Sequence, residues 1–331
     1  MSERTRVIQY GLGPIGSAVA RHVMERAGLE LVGAVDIDPA KVGRDVGEVI
    51  GLPQPLGIVT AEKLEQALEG SDADVVLHTT SSYFTLFRDQ IVEILGAGLD
   101  IVSTAEELSF PWLAHPEEAA AIDAAAKQAG KTVLGTGVNP GFLMDLLPLN
   151  LTAICQRVDR IDVARVIDAA TRRGPFQAKI GCGLTAQDFQ SRMAAGRMGH
   201  VGLPESMAMV FHTLGKRLVR YESSVEPVVA GRAVQTDYFV VQPGQVMGLK
   251  QIARGHSDEG EFMTLTFIAA LEVEEDGDTI RITGKPDLEV KLKGTNGDIA
   301  TVAIAVNAIR RVKEAPAGLV TMVDLPPVTV W

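Results

Sequence analysis

Cysteine is almost missing from this 331-residue sequence: Cys155 and Cys182 are the two present. Neither lies in a Cys-x-x-Cys pair or a histidine-rich neighbourhood, which excludes a thiolate zinc site and a disulfide framework. No metal is expected, and a reducing compartment, the cytoplasm, is. Positive charge is also short. Lysine and arginine number 31 against 42 acidic residues, a formal charge of −11, so a nucleic-acid partner is excluded. No stretch approaches the ~18 apolar residues of a membrane span, and no membrane partner is expected. Arg4 and Arg6 precede an uncharged run, Val7 to Ala20, that ends in a small-x-small Ala18-Val19-Ala20. That resembles a signal peptide, but Gly11, Gly13, Pro14 and Gly16 interrupt the run and argue against export.

What is present is an average globular mixture, 46% hydrophobic and 22% charged, in a chain long enough for two domains. From Arg6 onward, short β-branched runs alternate with longer helical ones: Val7-Ile8-Gln9-Tyr10, Ile15 to Ala27, Leu29 to Val35, Ala73 to Thr79, Phe84 to Gly96, Ile101-Val102-Ser103, Glu117 to Ala129 and Thr132 to Leu134. Such alternation predicts an α/β domain over residues 1–140, a doubly wound parallel sheet of the Rossmann type. Residues 141–298 change character. After a helix-like Phe142 to Cys155, strand candidates dominate: Arg160 to Ile167, Leu218 to Val229, Thr236 to Gln242, Gln245 to Arg254, Phe262 to Glu272, Thr279 to Thr283 and Leu288 to Lys293. A second, α+β domain with a mostly antiparallel sheet is expected, as the substrate-binding domain. Residues 299–312 are apolar almost all round, so a buried helix is predicted there; 299–331 should pack back on the first domain.

Gly11-Leu12-Gly13-Pro14-Ile15-Gly16 follows a strand and opens a helix, the context in which this spacing binds a dinucleotide. Gly11 permits the tight turn, Gly13 lets the backbone approach a pyrophosphate, and Gly16 lets the helix lie close to the strand. Pro14 suits the first helical turn, where its missing N–H is not needed. Asp36, at the end of the next strand, would accept hydrogen bonds from the ribose hydroxyls and repel a 2′-phosphate, which favours NAD. Lys41 and Arg44 leave NADP possible if their side chains turn toward the ribose. Thr79, Thr80 and Ser81 end a further strand where small polar groups face the cofactor; His78 beside them reads as a packed strand histidine.

Glu106 and Glu107 follow Ser103-Thr104-Ala105 at the carboxyl edge of the predicted sheet, where substrate meets cofactor. Thr104-x-x-Glu107 and Ser103-x-x-Glu106 both have capping-box spacing, but one helix cannot use both. If Thr104 caps, Glu107 serves the backbone and Glu106 is the acid/base; the reverse assignment stays open. Asn139 lies in Gly137-Val138-Asn139-Pro140-Gly141, which reads equally as a hinge and as a contact to the cofactor ring. Phe142, Met144, Phe176 and Met207 could wall an apolar pocket, and His200, between glycines, is the histidine most suited to face it.

The strings Gln-Tyr-Gly-Leu-Gly-Pro-Ile-Gly, Ser-Thr-Ala-Glu-Glu-Leu-Ser-Phe-Pro-Trp, Gly-Val-Asn-Pro-Gly-Phe-Leu-Met-Asp and Gly-His-Val-Gly-Leu-Pro-Glu-Ser resemble the 2,4-diaminopentanoate dehydrogenases and the native amine dehydrogenases related to them. The resemblance spans most of the chain, in order. It implies an N-terminal domain like that of dihydrodipicolinate reductase, although the His-His-x-x-Lys motif of that reductase is absent. It further implies a homodimer, NAD(P)-dependent oxidative deamination of a primary amine to a ketone and ammonia, hydride transfer to C4 of the nicotinamide, and a catalytic glutamate in the Glu106-Glu107 pair. A 2,4-diaminopentanoate site would need an arginine for the substrate carboxylate, with Arg165, Arg172 and Arg173 as candidates; a plain amine would need only apolar walls. A non-catalytic NAD(P)-binding sensor would share the glycine loop and Asp36 but would have no reason to keep the acidic pair beyond capping.

Overall fold

The computed structural model of the chain describes residues 4–196 and 198–331. Two compact units result, Met1–Phe142 with Asn296–Trp331, and Leu143–Thr295.

In the first unit the chain runs β1 (Thr5–Tyr10), α1 (Pro14–Met24), β2 (Leu29–Val35), α2 (Val46–Val49), β3 (Thr60–Ala61), α3 (Leu64–Ala67), β4 (Val75–His78), α4 (Phe84–Gly96), β5 (Asp100–Ser103), α5 (Pro116–Ala129) and β6 (Thr132–Gly135). The second unit holds α6 (Leu146–Thr152), β7 (Arg157–Asp168), α7 (Gly174–Lys179), α8 (Ala186–Ala194), α9 (Leu203–Thr213), β8 (Arg220–Val229), β9 (Val234–Gln235), β10 (Val240–Val241), β11 (Val246–Ser257), β12 (Gly260–Ala270), β13 (Gly277–Lys285) and β14 (Leu288–Leu292). The chain then re-enters the first unit as α10 (Gly297–Glu314) and β15 (Gly318–Val320).

The first unit is built on a parallel sheet of seven strands in the order β15-β6-β5-β4-β1-β2-β3. Its strands are apolar runs because both faces are covered: Val7, Ile8, Val75, Val76, Ile101, Val102, Val133 and Leu134 are fully buried. On one face Ile8, Val76, Ile101 and Val133 meet Phe84, Phe87 and Ile91 of α4 and Ile122 of α5. On the other lie α1 and α10, whose Val302, Ala305, Val306, Ala308 and Ile309 are buried while Ile299 in the first turn is exposed. The sequence reads 315–331 only as a tail; three of its residues form β15, an extra edge strand paired to β6. The terminal Trp331 covers Gly28, where a Cβ would fall 2.8 Å from the indole, and donates from Nε1 to Asn307 O at 3.2 Å.

The second unit carries a six-stranded sheet in the order β14-β13-β7-β12-β11-β8. Every neighbour pairing is antiparallel except β7 with β12, so the sheet is mixed. Along β7 burial alternates, with Ile161, Val163 and Arg165 inward and Asp162, Ala164 and Val166 half-exposed. Two expectations are corrected here. Of Thr236 to Gln242, which alternates like a strand, only Val240–Val241 forms one, β10 paired to β9; before it the chain turns, and Thr236 Oγ1 accepts from the N–H of Tyr238 and Phe239 at 3.2 and 3.0 Å. The helix expected from Phe142 begins only at Leu146, where Asp145 caps it with a 2.6 Å bond from the Leu146 N–H. Among the described residues no helix is long and apolar enough to cross a membrane.

Candidate active site

The glycine loop is shaped by what each missing side chain permits. Gly11 has φ +92°, and a Cβ there would sit 2.8 Å from the Thr79 carbonyl oxygen. Gly16 lies so close to the loop that a Cβ would fall 1.9 Å from Gly11 O. Gly13, by contrast, faces open space with nothing within 4 Å. It caps α1 without a side chain, and Pro14 stands in the first turn. The first amides of such a turn lack partners within the helix and are donors suited to an anion. Leu12 is buried and Ile15 half-buried beside it.

Asp36 stands directly after β2 with only 8% of its surface exposed. Its Oδ2 accepts from Leu12 N–H at 2.7 Å and from Lys41 Nζ at 3.0 Å, and its Oδ1 from Asp38 N–H at 2.9 Å. Burial pushes this carboxyl up, but the two backbone donors and the lysine outweigh it and hold the group below the ordinary carboxylate range. Arg44 takes a different direction, toward Ala40 O at 3.3 Å and Glu48 at 3.6 Å.

At the end of β4, Thr79 Oγ1 accepts from Gln9 Nε2 at 2.8 Å and donates to Gly11 O at 2.9 Å, tying this strand end to the glycine turn. Ser81 Oγ accepts from Tyr83 N–H at 3.2 Å. Thr80 joins a polar chain around His78, which is completely buried. Gln90 Oε1 accepts from the Thr80 hydroxyl at 2.7 Å and lies 2.8 Å from His78 Nε2, so Nε2 carries the ring proton. Nδ1 then accepts from the Ser103 hydroxyl at 2.8 Å, and Ser103 Oγ accepts from Ala105 N–H at 3.1 Å. Burial drives the imidazole down to about 4, only partly opposed by its bond to Gln90, and keeps it neutral. The chain joins the end of β4 to the segment that carries the glutamates.

Glu106 and Glu107 lie in a single 3-10 turn, Glu106–Leu108, whose cap residue is Ala105. Neither capping box forms: the turn has no side-chain cap, and Ser103 serves His78 and Ala105. Glu107 instead crosses to another element, accepting the N–H of Phe84, the first residue of α4, at 2.5 Å; His115 Nε2 stands 3.7 Å away. A carboxylate at that end of a helix offsets both an unpaired donor and the positive dipole end. Glu106, on the same turn, is half-buried. The turn rests on β6, since a Cβ on Gly135 would come within 2.4 Å of the Leu108 carbonyl carbon. Gln9, Gln90 and Gly135 were not singled out in the sequence; a polar Gln9 inside an otherwise apolar buried strand was the one available signal.

Asn139 is 8% exposed in the loop after β6, with a cis bond to Pro140. The loop is anchored to α10 through Val138 N–H and Thr301 Oγ1 at 3.4 Å. Phe142 ends this stretch half-buried.

In the second unit, Asp145 Oδ2 accepts the Ser206 hydroxyl at 2.7 Å, joining the Phe-Leu-Met-Asp and Pro-Glu-Ser strings through two buried side chains. Met144 and Met207 are fully buried, and Met207 packs over β11, where a Cβ on Gly255 would fall 2.3 Å from its sulfur. His200 stacks on Phe267 with ring centroids 4.6 Å apart, and its N–H donates to Gln251 Oε1 at 2.6 Å. Phe176 lies under the Arg172 guanidinium at 4.6 Å. Arg165 is spent on Asp278, a 2.9 Å pair with both side chains 3% exposed. Among the described residues no group of three or more His, Cys, Asp or Glu could hold a metal ion.

The profile of the 2,4-diaminopentanoate dehydrogenase C-terminal domain matches residues 142–331, and that of the dihydrodipicolinate reductase N-terminus matches residues 5–96. The chain is 32% identical to the 2,4-diaminopentanoate dehydrogenase of Acetoanaerobium sticklandii, over 98% of this chain and 94% of that one. This chain belongs to the 2,4-diaminopentanoate dehydrogenase family. Within the family's wider neighbourhood it is 24% identical to an amine dehydrogenase of Streptomyces virginiae, covering 96% and 95% of the two chains. The solved amine dehydrogenase from Mycobacterium smegmatis superposes with a TM-score of 0.88 at 25% identity, covering 100% of this chain and 98% of that one.

Proposed function

We propose that this family member is an NAD-dependent amine dehydrogenase that oxidises a primary amine to a ketone and ammonia, and runs in reverse as a reductive amination. The observation that carries this reading is the separation of the two carboxylates at the end of β5. Glu107 accepts the first N–H of α4, which supports Glu106, its neighbour on the same turn, as the acid/base. When bound, the nicotinamide supplies the hydride acceptor. Glu106 takes the ammonium proton of the substrate and passes it to solvent; as a carboxylate again it offsets the charge of the iminium, removes a proton from the attacking water and returns that proton to the departing nitrogen. Gly11 to Gly16 hold the pyrophosphate and Asp36 the ribose; Thr79, Thr80, Ser81 and Asn139 border the remaining cofactor. The names of the relatives from Acetoanaerobium sticklandii, Streptomyces virginiae and Mycobacterium smegmatis support the class of reaction.

The substrate candidates differ in burial: Phe142 in the first unit and Phe176 and His200 in the second are half-buried, whereas Met144 and Met207 are fully buried. A second reading is a carboxylate-bearing substrate as in 2,4-diaminopentanoate dehydrogenase; of the candidate arginines, Arg165 is paired with Asp278 and Arg172 stands over the Phe176 ring. A homodimer is supported by the half-exposed face of the second sheet. There Ala164 and Val166 of β7, Thr266 and Ile268 of β12 and Ile252 of β11 form an apolar centre, rimmed by Arg160, Asp162, Arg254 and Glu222. Two free thiols suit a cytoplasmic enzyme.

The test follows NADH oxidation by absorbance with cyclohexanone, a methyl ketone, levulinate and 2-amino-4-oxopentanoate, each with and without ammonium, in wild type and Glu106→Ala. Turnover that requires ammonium and is lost in the variant is the expected result, and the preferred ketone separates the two substrate readings. NADH binding without any ketone reduction would sink the proposal and leave the non-catalytic sensor.

A further inference from the structure

We propose that Gln9 is a positioning residue for the dinucleotide: from inside the sheet it fixes one peptide plane of the glycine turn, so that the turn is set before the nucleotide arrives. This rests on the glycine turn being the dinucleotide site. Val7, Ile8 and Tyr10 of β1 are buried apolar residues, as expected of a strand covered on both faces, and Gln9 among them is 0% exposed. Its Nε2 donates to Gly11 O at 2.9 Å and to Thr79 Oγ1 at 2.8 Å. A carbonyl oxygen can only accept, which fixes the orientation of the amide. Oε1 is thereby turned away, and among the described residues it meets no donor.

A buried acceptor without a partner lowers stability, so an apolar side chain of the same shape would serve the packing of β1 better. What the glutamine contributes lies in what its donors hold. The Thr79 hydroxyl also donates to Gly11 O, at 2.9 Å, so that this carbonyl has both lone pairs filled. The N–H of the same peptide, that of Leu12, donates to Asp36 Oδ2 at 2.7 Å. One peptide plane is thus gripped at both ends, by Gln9 of β1 and Thr79 after β4 on its carbonyl side and by Asp36 after β2 on its amide side. Left alone it would turn easily, because Gly11, at φ +92°, sets no Cβ against rotation. The start of α1 leans on the same carbonyl, since a Cβ on Gly16 would fall 1.9 Å from Gly11 O and 2.5 Å from Thr79 Oγ1. Holding this plane therefore holds the first turn of α1, and a turn ordered in advance binds an anion without the entropy loss of ordering it.

The experiment measures thermal melts of the nucleotide-free full chain, and calorimetric titrations with NADH and with ADP-ribose, which has the pyrophosphate and lacks the nicotinamide. Wild type, Gln9→Met, Thr79→Val and the double variant are compared, without amine or ketone. Gln9→Met should melt no lower than wild type, since it deletes the unmatched acceptor, yet bind both ligands about tenfold more weakly. Thr79→Val should weaken both by a similar factor. The double variant should lose no more than about threefold beyond the weaker single one, because the two side chains hold one carbonyl. A Gln9→Met protein that melts lower and binds as wild type would mean that the glutamine only packs the strand, and the proposal falls. It falls equally if the two losses multiply in the double variant, or if NADH is weakened and ADP-ribose is not. Wild type binding neither ligand would remove the dinucleotide reading and the proposal with it, whereas wild type and Gln9→Met binding both alike would remove the proposal alone.

Discussion

Two adjacent glutamates with identical chemistry are distinguished by where one backbone amide happens to lie. Glu107 accepts the first N–H of α4, so Glu107→Ala should lower the stability of the protein by about 1 to 2 kcal/mol, the worth of a helix cap reinforced by the dipole, while leaving ammonium-dependent turnover of the folded protein near wild type. Thermal melts and steady-state rates on the same preparations check this; unchanged melting with lost turnover would reverse the two assignments. His78 makes a second prediction. Its ordinary value of 6.5 is driven to about 4 in the folded chain, so between those values the unfolded chain binds a proton that the native one refuses. Stability is therefore complete above about 6.5 and declines as pH falls through the window, by up to roughly 3 kcal/mol. His78→Asn should melt with a shallower pH dependence across this range, and equal slopes would count against it. A packed histidine was legible at position 78; its partners Gln90 and Ser103 were not, because they lie 12 and 25 residues away on other elements.

At the level of elements, the strand-to-helix turn was the most legible part of the chain, since its spacing reflects local backbone requirements. The structure adds that its glycines are not equivalent. Gly16→Ala would drive a Cβ into Gly11 O and should yield little folded protein, because the obstacle is backbone that cannot yield. Gly13→Ala faces open space and should fold normally while losing NADH affinity by about tenfold or more, its Cβ standing where the pyrophosphate approaches. Circular dichroism with nucleotide titration separates the two effects, and a Gly13→Ala protein that binds as wild type would remove the loop from the site. Alternation misled over the first part of Thr236 to Gln242, where the Thr236 hydroxyl gathers two backbone N–H groups and turns the chain, so that only Val240–Val241 is a strand. A threonine supports a strand and such a turn equally well, and only its neighbours choose.

For the molecule as a whole, the mixed sheet of the second unit raises the matter of assembly. Its inner face is filled by Met207 and Phe211 of α9 against Gly255 and by Phe189 of α8, whereas the face bearing Val166, Ile252 and Ile268 is half-exposed. A second copy is the occupant we expect, because alternating arginine and carboxylate rims let one patch meet itself across a twofold axis. Sedimentation velocity should show a dimer, and Ile268→Arg should shift it to monomer by placing a charge in the apolar centre. A wild-type monomer at micromolar concentration would overturn the dimer.

The sequence by itself determined the class of the first unit, the place of the glycine turn, Asp36, and the neighbourhood of the acidic pair. Those features follow from periodicity and from short-range backbone geometry, which a few consecutive residues specify. Tertiary structure alone decided that Glu107 caps α4 and not its own turn, that Lys41 neutralises Asp36, that Arg165 is consumed by Asp278, and that the tail adds β15 to the sheet. Each of these is a pairing across many residues, settled by which buried donor or charge would otherwise go unmatched, and spacing along the chain carries no record of that competition.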